Sequence, residues 1–183
     1  MPNADVIRAK REAASLLDAY PAPRLPVKVE QLAQQLGAEI TYERFDDDES
    51  ISAMLYRDDF RTVIGVNSCH PITRQRFSIA HEIGHMILHE GELYVDRSAR
   101  INFRNELSSQ AVDPKEIEAN VFAAELLMPE AVVVREAYKL IDDKRAGSAE
   151  SLISQMATKF KVSAKAMGFR LTNLRIITSS IDD

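Results

Sequence analysis

The segment SIAHEIGHMILHE, Ser78 to Glu90, holds three of the four histidines in the chain. Projected at about 100° per residue, residues 74–90 read as a helix. Phe77, Ile79, Ala80, Ile83, Ile87 and Leu88 cover most of its circumference, so the spacing predicts a buried helix. Against that apolar background His81, Glu82, His85 and His89 fall within one arc about 100° wide. A buried stripe of ionisable groups is costly unless something partners it. His81 and His85, one turn apart, can aim both imidazoles at one cation, and Glu82 is displaced just enough to reach a water beside it. The alternative is a helix rich in histidine by chance. Gly84 inside the motif costs about 1 kcal/mol relative to alanine, which predicts close packing there.

The rest of the chain bounds what such a helix can belong to. With 183 residues, 45% hydrophobic and 28% charged, it is sized for one globular domain, or one domain and a small appendage. No apolar run approaches the roughly 20 residues of a membrane span. The N-terminal stretch is a charged amphipathic helix without a signal-peptide apolar region. A single cysteine, Cys69, excludes an internal disulfide. These features predict a cytoplasmic protein with no membrane partner. The formal charge of −5 argues against direct nucleic-acid binding, which depends on clustered cations.

Around the histidine helix, periodicity predicts helices over 5–19 and 27–37, then strands over 38–44, 50–57 and 60–67. Short connections suggest an antiparallel meander of about three strands. Thr73 is the expected N-cap of the histidine helix. Residues 92–113 read as a surface loop, with Arg97, Arg100 and Arg104 as solvated charges. Helices follow over 114–128, 130–142, 148–159 and 163–175. The expected class is α+β: a small antiparallel sheet packed on a zincin-like helical core, with a helical C-terminal part. The division falls between 1–128 and 129–183.

A catalytic zinc site takes three protein ligands, and no H-E-x-x-H-x-x-G-x-x-H extension exists. The third ligand is therefore sought in DPKEIEANVFAAELLMP, Asp113 to Pro129. There Ile117, Val121, Ala124 and Leu127 or Met128 make one buried stripe, and Glu116, Asn120 and Ala123 make an adjoining one, with Glu116 and Asn120 at i,i+4 facing the histidine helix. Glu116 would ligate and Asn120 would orient a histidine. Glu118, about 200° around from Glu116, is expected to face solvent. Tyr94 and His89 are candidate donors to a developing oxyanion. By ligand type the cation is Zn2+, with Mn2+ or Fe2+ also compatible with two histidines and a carboxylate. The neighbouring Cys69 and His70 give no evidence of a nucleophilic dyad.

RQRFSIAHEIGHMILH followed by EIEANVFAAELLMP resembles the ImmA/IrrE-type metallopeptidases, over about Val27 to Met128. The resemblance implies zinc bound by His81, His85 and Glu116, with Glu82 as the base. It also implies His89 supporting the site, and a protein substrate, a helix-turn-helix transcriptional repressor cleaved to relieve repression under stress. Two other readings compete. The tail from Ala149 to Ile176 is helix-turn-helix-like, and Lys159, Lys161, Lys165, Arg170 and Arg175 could contact phosphates, or the same helices could pack on the core. Alternatively, the chain is a non-catalytic metal-binding regulator that binds a repressor or DNA.

Overall fold

The continuous run Val63-Ile64-Gly65-Val66, which carries no polar side chain, is suited to burial on both faces as a central strand. The computed structural model, which describes residues 3–19, 25–45, 50–97 and 113–178, places it so. Strands β1 (Ala38–Glu43), β2 (Ile51–Arg57), β3 (Thr62–Asn67) and β4 (Leu93–Arg97) form one sheet in the order β1-β3-β2-β4. β2 pairs antiparallel with β3 and with β4, but β1 runs parallel to β3. The class is α+β as the sequence predicts, whereas the sheet is mixed and four-stranded rather than a three-stranded antiparallel meander. The hairpin partner of β1 is displaced because β3, the most buried strand, takes the centre. Gly65 sits there between Thr41 and Met54, where a Cβ would lie 3.2 Å from Met54 Cγ.

Among the described residues there are seven helices: α1 (Val6–Ala19), α2 (Val29–Gln35), α3 (Ile72–Leu88), α4 (Pro114–Leu127), α5 (Glu130–Asp142), α6 (Ala149–Phe160) and α7 (Ala164–Asn173). α3 is the histidine helix. It opens with Pro71 in the cap position and not Thr73, because Pro71 O already accepts from the Arg74 and Gln75 amides. The loop expected over 92–113 contributes β4; residues 98–112, with Arg100 and Arg104, lie outside the described residues.

The sheet presents Ala53, Leu55, Ile64 and Val66 to α3, and α4 covers the other side of that helix. One hydrophobic cluster runs from Ala9 on α1 to Leu171 on α7. Arg170 on α7 donates to Met128 O at 3.0 Å and pairs with Glu125, so the last helix is tied to the end of α4. Lys159 pairs with Glu136 on α5.

α3 and α4 meet at Gly84. A Cβ built there would lie 3.2 Å from both Ala119 Cα and Phe122 Cδ1, and 3.3 Å from Ala119 O. Two of those atoms are backbone and cannot turn away. Gly84→Val should lower the unfolding free energy by about 1–3 kcal/mol through overpacking, read by urea denaturation. An unchanged midpoint would mean that the crossing is looser than these distances.

Candidate metal centre

The close crossing at Gly84 determines which α4 side chains reach α3. Residues on α4 nearest the crossing are Ala119, Phe122 and Ala123, all buried, while Ile117, Val121 and Ala124 are only partly so. Leu127 and Met128 are buried as read in the sequence, but the middle of the buried stripe lies on the adjoining side, at Ala119 and Ala123. One turn before Ala119 and Ala123 on the adjoining face, Glu116 and Asn120 meet the histidines.

Glu116 Oε2 lies 3.2 Å from His81 Nε2, Glu116 Oε1 lies 3.2 Å from His85 Nε2, and the two Nε2 atoms are 3.0 Å apart. A tetrahedral zinc with bonds of about 2.0–2.1 Å holds its ligand atoms about 3.3–3.4 Å apart. The two nitrogens and the Glu116 carboxylate, one oxygen facing each histidine, therefore lie at separations close to the edges of such a tetrahedron. Among the described residues His81, His85 and Glu116 are the group that could hold a metal ion.

Glu82 is fully buried, and neither of its carboxylate oxygens has a hydrogen-bond partner. A buried polar pair left orphaned is costly, so the donor set and the orphaned carboxylate both fit a cation with its water. Burial, against the pull of His81 and helped by Asp96 and Glu116, pushes the Glu82 carboxyl up to about 8. At His81 burial lowers the pKa, but the Glu116 hydrogen bond and the charges of Glu82, Asp96 and Glu116 win, raising it to about 9. Burial and the two neighbouring histidines lower His85 against the Glu116 hydrogen bond. Glu116 itself is partly buried, which raises its pKa, yet its two histidine partners bring it well below the usual carboxylate range.

Behind the triangle each histidine has a partner. His81 Nδ1 meets Asn120 Oδ1 at 3.1 Å. His85 Nδ1 meets His89 Nδ1 at 3.0 Å, and His89 Nε2 meets Glu118 Oε2 at 2.9 Å. Glu118 is not turned to solvent as its angle on α4 suggests; its side chain is 12% exposed. The reason is that His89 has left the helix, at φ −128° and ψ 147°, and swings its ring away from the α3 face towards Glu118. Arg57 and Arg8 hold that exit: Arg57 donates to Met86, His89 and Gly91 carbonyls, and Arg8 donates to Leu88 O at 3.2 Å. Two cations thus satisfy carbonyls that the helix end leaves open.

Both oxyanion candidates already have hydrogen-bond partners. Tyr94 donates its hydroxyl to Glu90 O at 2.7 Å and stacks on His85 with ring centroids 4.3 Å apart. Both nitrogens of His89 are engaged. Cys69 is exposed on the turn before α3, outside the cluster. Sequence reading missed Asp96 on β4, to which Ser78 Oγ donates at 3.4 Å. Its signal was the alternation of Leu93-Tyr94-Val95-Asp96, which puts Tyr94 and Asp96 on the sheet face towards α3.

A helix bearing His-Glu-x-x-His, crossed by a second helix that supplies a carboxylate, is the site architecture of metallopeptidases. The chain belongs to the Peptidase M78 family, described as an IrrE N-terminal-like domain, which matches residues 33–172. It is 34% identical over 116 residues to the radiation response metalloprotease IrrE of Deinococcus radiodurans, a match covering 63% of this chain and 32% of that protein. The chain therefore spans about a third of the length of this relative. In fold it is similar to a Mycobacterium tuberculosis transcriptional regulator, with a TM-score of 0.56 at 17% identity over 91% of this chain and 46% of that one. No helix among the described residues is long and apolar enough to cross a membrane.

Replacing one vertex of the triangle tests it. Elemental analysis of purified protein should find near-stoichiometric zinc in the wild type and little in Glu116→Gln. Equal zinc in both would move the third ligand elsewhere.

Proposed function

We propose that this chain is a zinc-dependent endopeptidase in which His81, His85 and Glu116 hold the metal and Glu82 is the general base. The observation that carries this reading is the orphaned, fully buried Glu82 beside a triangle of three ligand atoms. When bound, the cation supplies Lewis acidity, polarising a peptide carbonyl and acidifying a water towards neutrality.

The residues of the chain supply the rest. Glu82 takes a proton from the attacking water and returns it to the leaving amine, which requires a carboxyl that can exist in both states near pH 7. Burial raises its pKa towards that range, and an opposite charge nearby would bring it back down. Asn120 keeps His81 oriented with Nε2 towards the centre. Tyr94 stacks on His85 and covers one side of its ring.

The substrate is a protein, and we propose a helix-turn-helix transcriptional repressor in the cytoplasm, cleaved to relieve repression under stress. Family resemblance supports this substrate class, and the name of the Deinococcus relative supports the link to stress. Against nucleic-acid binding by the C-terminal helices stand two of their five cations, since Arg170 is buried against Glu125 and Lys159 is paired with Glu136. A regulator that binds metal without catalysis has no use for a base in the position of Glu82.

Glu82→Gln should retain zinc while cleavage falls by about 10²- to 10⁴-fold. The readout is terminal-amine labelling of an extract of the encoding organism, treated with either protein. New N-termini in a small set of DNA-binding proteins, present with the wild type and missing with the variant, are the expected result. Metal-loaded wild type that produces no new termini would favour the non-catalytic regulator.

A further inference from the structure

The hydrogen-bond chain behind His85 ends on Glu118, a residue outside the metal triangle, and its polarity is determined at both ends. His85 must offer a lone pair at Nε2 to act as a ligand, so its proton is at Nδ1. That proton needs an acceptor, and the atom 3.0 Å away is Nδ1 of His89. A neutral imidazole accepts at one nitrogen only if the other carries the hydrogen. His89 must therefore be protonated at Nε2, the nitrogen 2.9 Å from Glu118 Oε2. A carboxylate there accepts and cannot donate, so it selects this tautomer of His89 and, through it, the ligating tautomer of His85.

We propose that Glu118 is a positioning residue of the metal centre, acting through His89 to hold His85 in its ligating tautomer and orientation. The inference rests on the reading of His81, His85 and Glu116 as the metal ligands. It explains three features together. His89 is 8% exposed although it lies beyond the end of α3. Arg57 clamps the carbonyls on either side of it. The second oxygen of Glu118 accepts from the Asp5 backbone N–H at 2.7 Å, so the start of α1 fixes the carboxylate that starts the chain of hydrogen bonds. The two ligand histidines are thus held differently, His81 by a neutral amide and His85 by an imidazole backed by a carboxylate.

The test measures zinc affinity by competition with a chromophoric chelator, and the visible d–d bands of the cobalt(II)-loaded protein. Both are read on wild type, Glu118→Leu, His89→Leu and the double variant, each checked for folding by circular dichroism. Loss of such an outer partner typically costs 10- to 100-fold in metal affinity, and each single variant should show about that loss with altered cobalt bands. If Glu118 acts through His89, the double variant loses no more than either single one.

Where Glu118→Leu does not fold, Glu118→Ala takes its place, alanine being the strongest helix former. Unchanged affinity and cobalt bands in the Glu118 variant would overturn the proposal. So would additive losses in the double variant. Wild type that binds no zinc would instead overturn the metal-centre reading on which the proposal rests.

Discussion

The backbone-to-backbone contact of α3 and α4 at Gly84 and Ala119 is the constraint on which the rest of the molecule depends. With a side chain at Gly84 the helices would separate, and Glu116 would be carried away from the histidine nitrogens that it now meets at 3.2 Å. Glycine costs about 1 kcal/mol of helix propensity at that position. What it provides is an approach that brings ligand atoms from two helices within one coordination sphere. The sheet, through Leu55, Ile64 and Val66, holds α3 from the opposite side, so the helix cannot yield away from α4.

That arrangement buries an unusual concentration of ionisable groups. His81, Glu82 and His85 are each at most 2% exposed. The surrounding protein gives each histidine a partner at Nδ1, Asn120 for His81 and His89 for His85, while the two Nε2 atoms face Glu116 and each other. It leaves Glu82 unsatisfied. Such an imbalance is expected of a site whose remaining partners arrive with a ligand, and it differs from a structural ion network, where every member is paired. The network around Arg170, bonded to both Met128 O and Glu125, is an example of the second kind in the same fold.

The grouping of His81, His85 and Glu116 was largely legible in the sequence, because a helix converts spacing into direction. The i,i+4 histidines, the adjacent Glu82, and Glu116 with Asn120 at i,i+4 all follow from 3.6 residues per turn. Glu118 was not legible by the same rule, which treats a helix as having one buried face. α4 is contacted by α3 on one side and by α1 on another, and His89 reaches it from beyond the helix end. Asp96 was missed because five residues of strand inside a polar stretch give a weak alternation signal. In the sheet, short connections argued for neighbours in sequence pairing in space. The signal that overrides them is the unbroken apolar run of β3, which marks a strand buried on both faces and so a central one.

The most direct measurement of the central claim is an anomalous-scattering map from crystals of the zinc-loaded protein, collected on either side of the zinc absorption edge. The account predicts one strong peak between α3 and α4, about 2.0–2.2 Å from His81 Nε2, His85 Nε2 and a Glu116 oxygen, with Glu82 beside it and not bonded to it. A peak bonded to Glu118 or His89 in place of Glu116, or no peak in that cleft at zinc saturation, would contradict it.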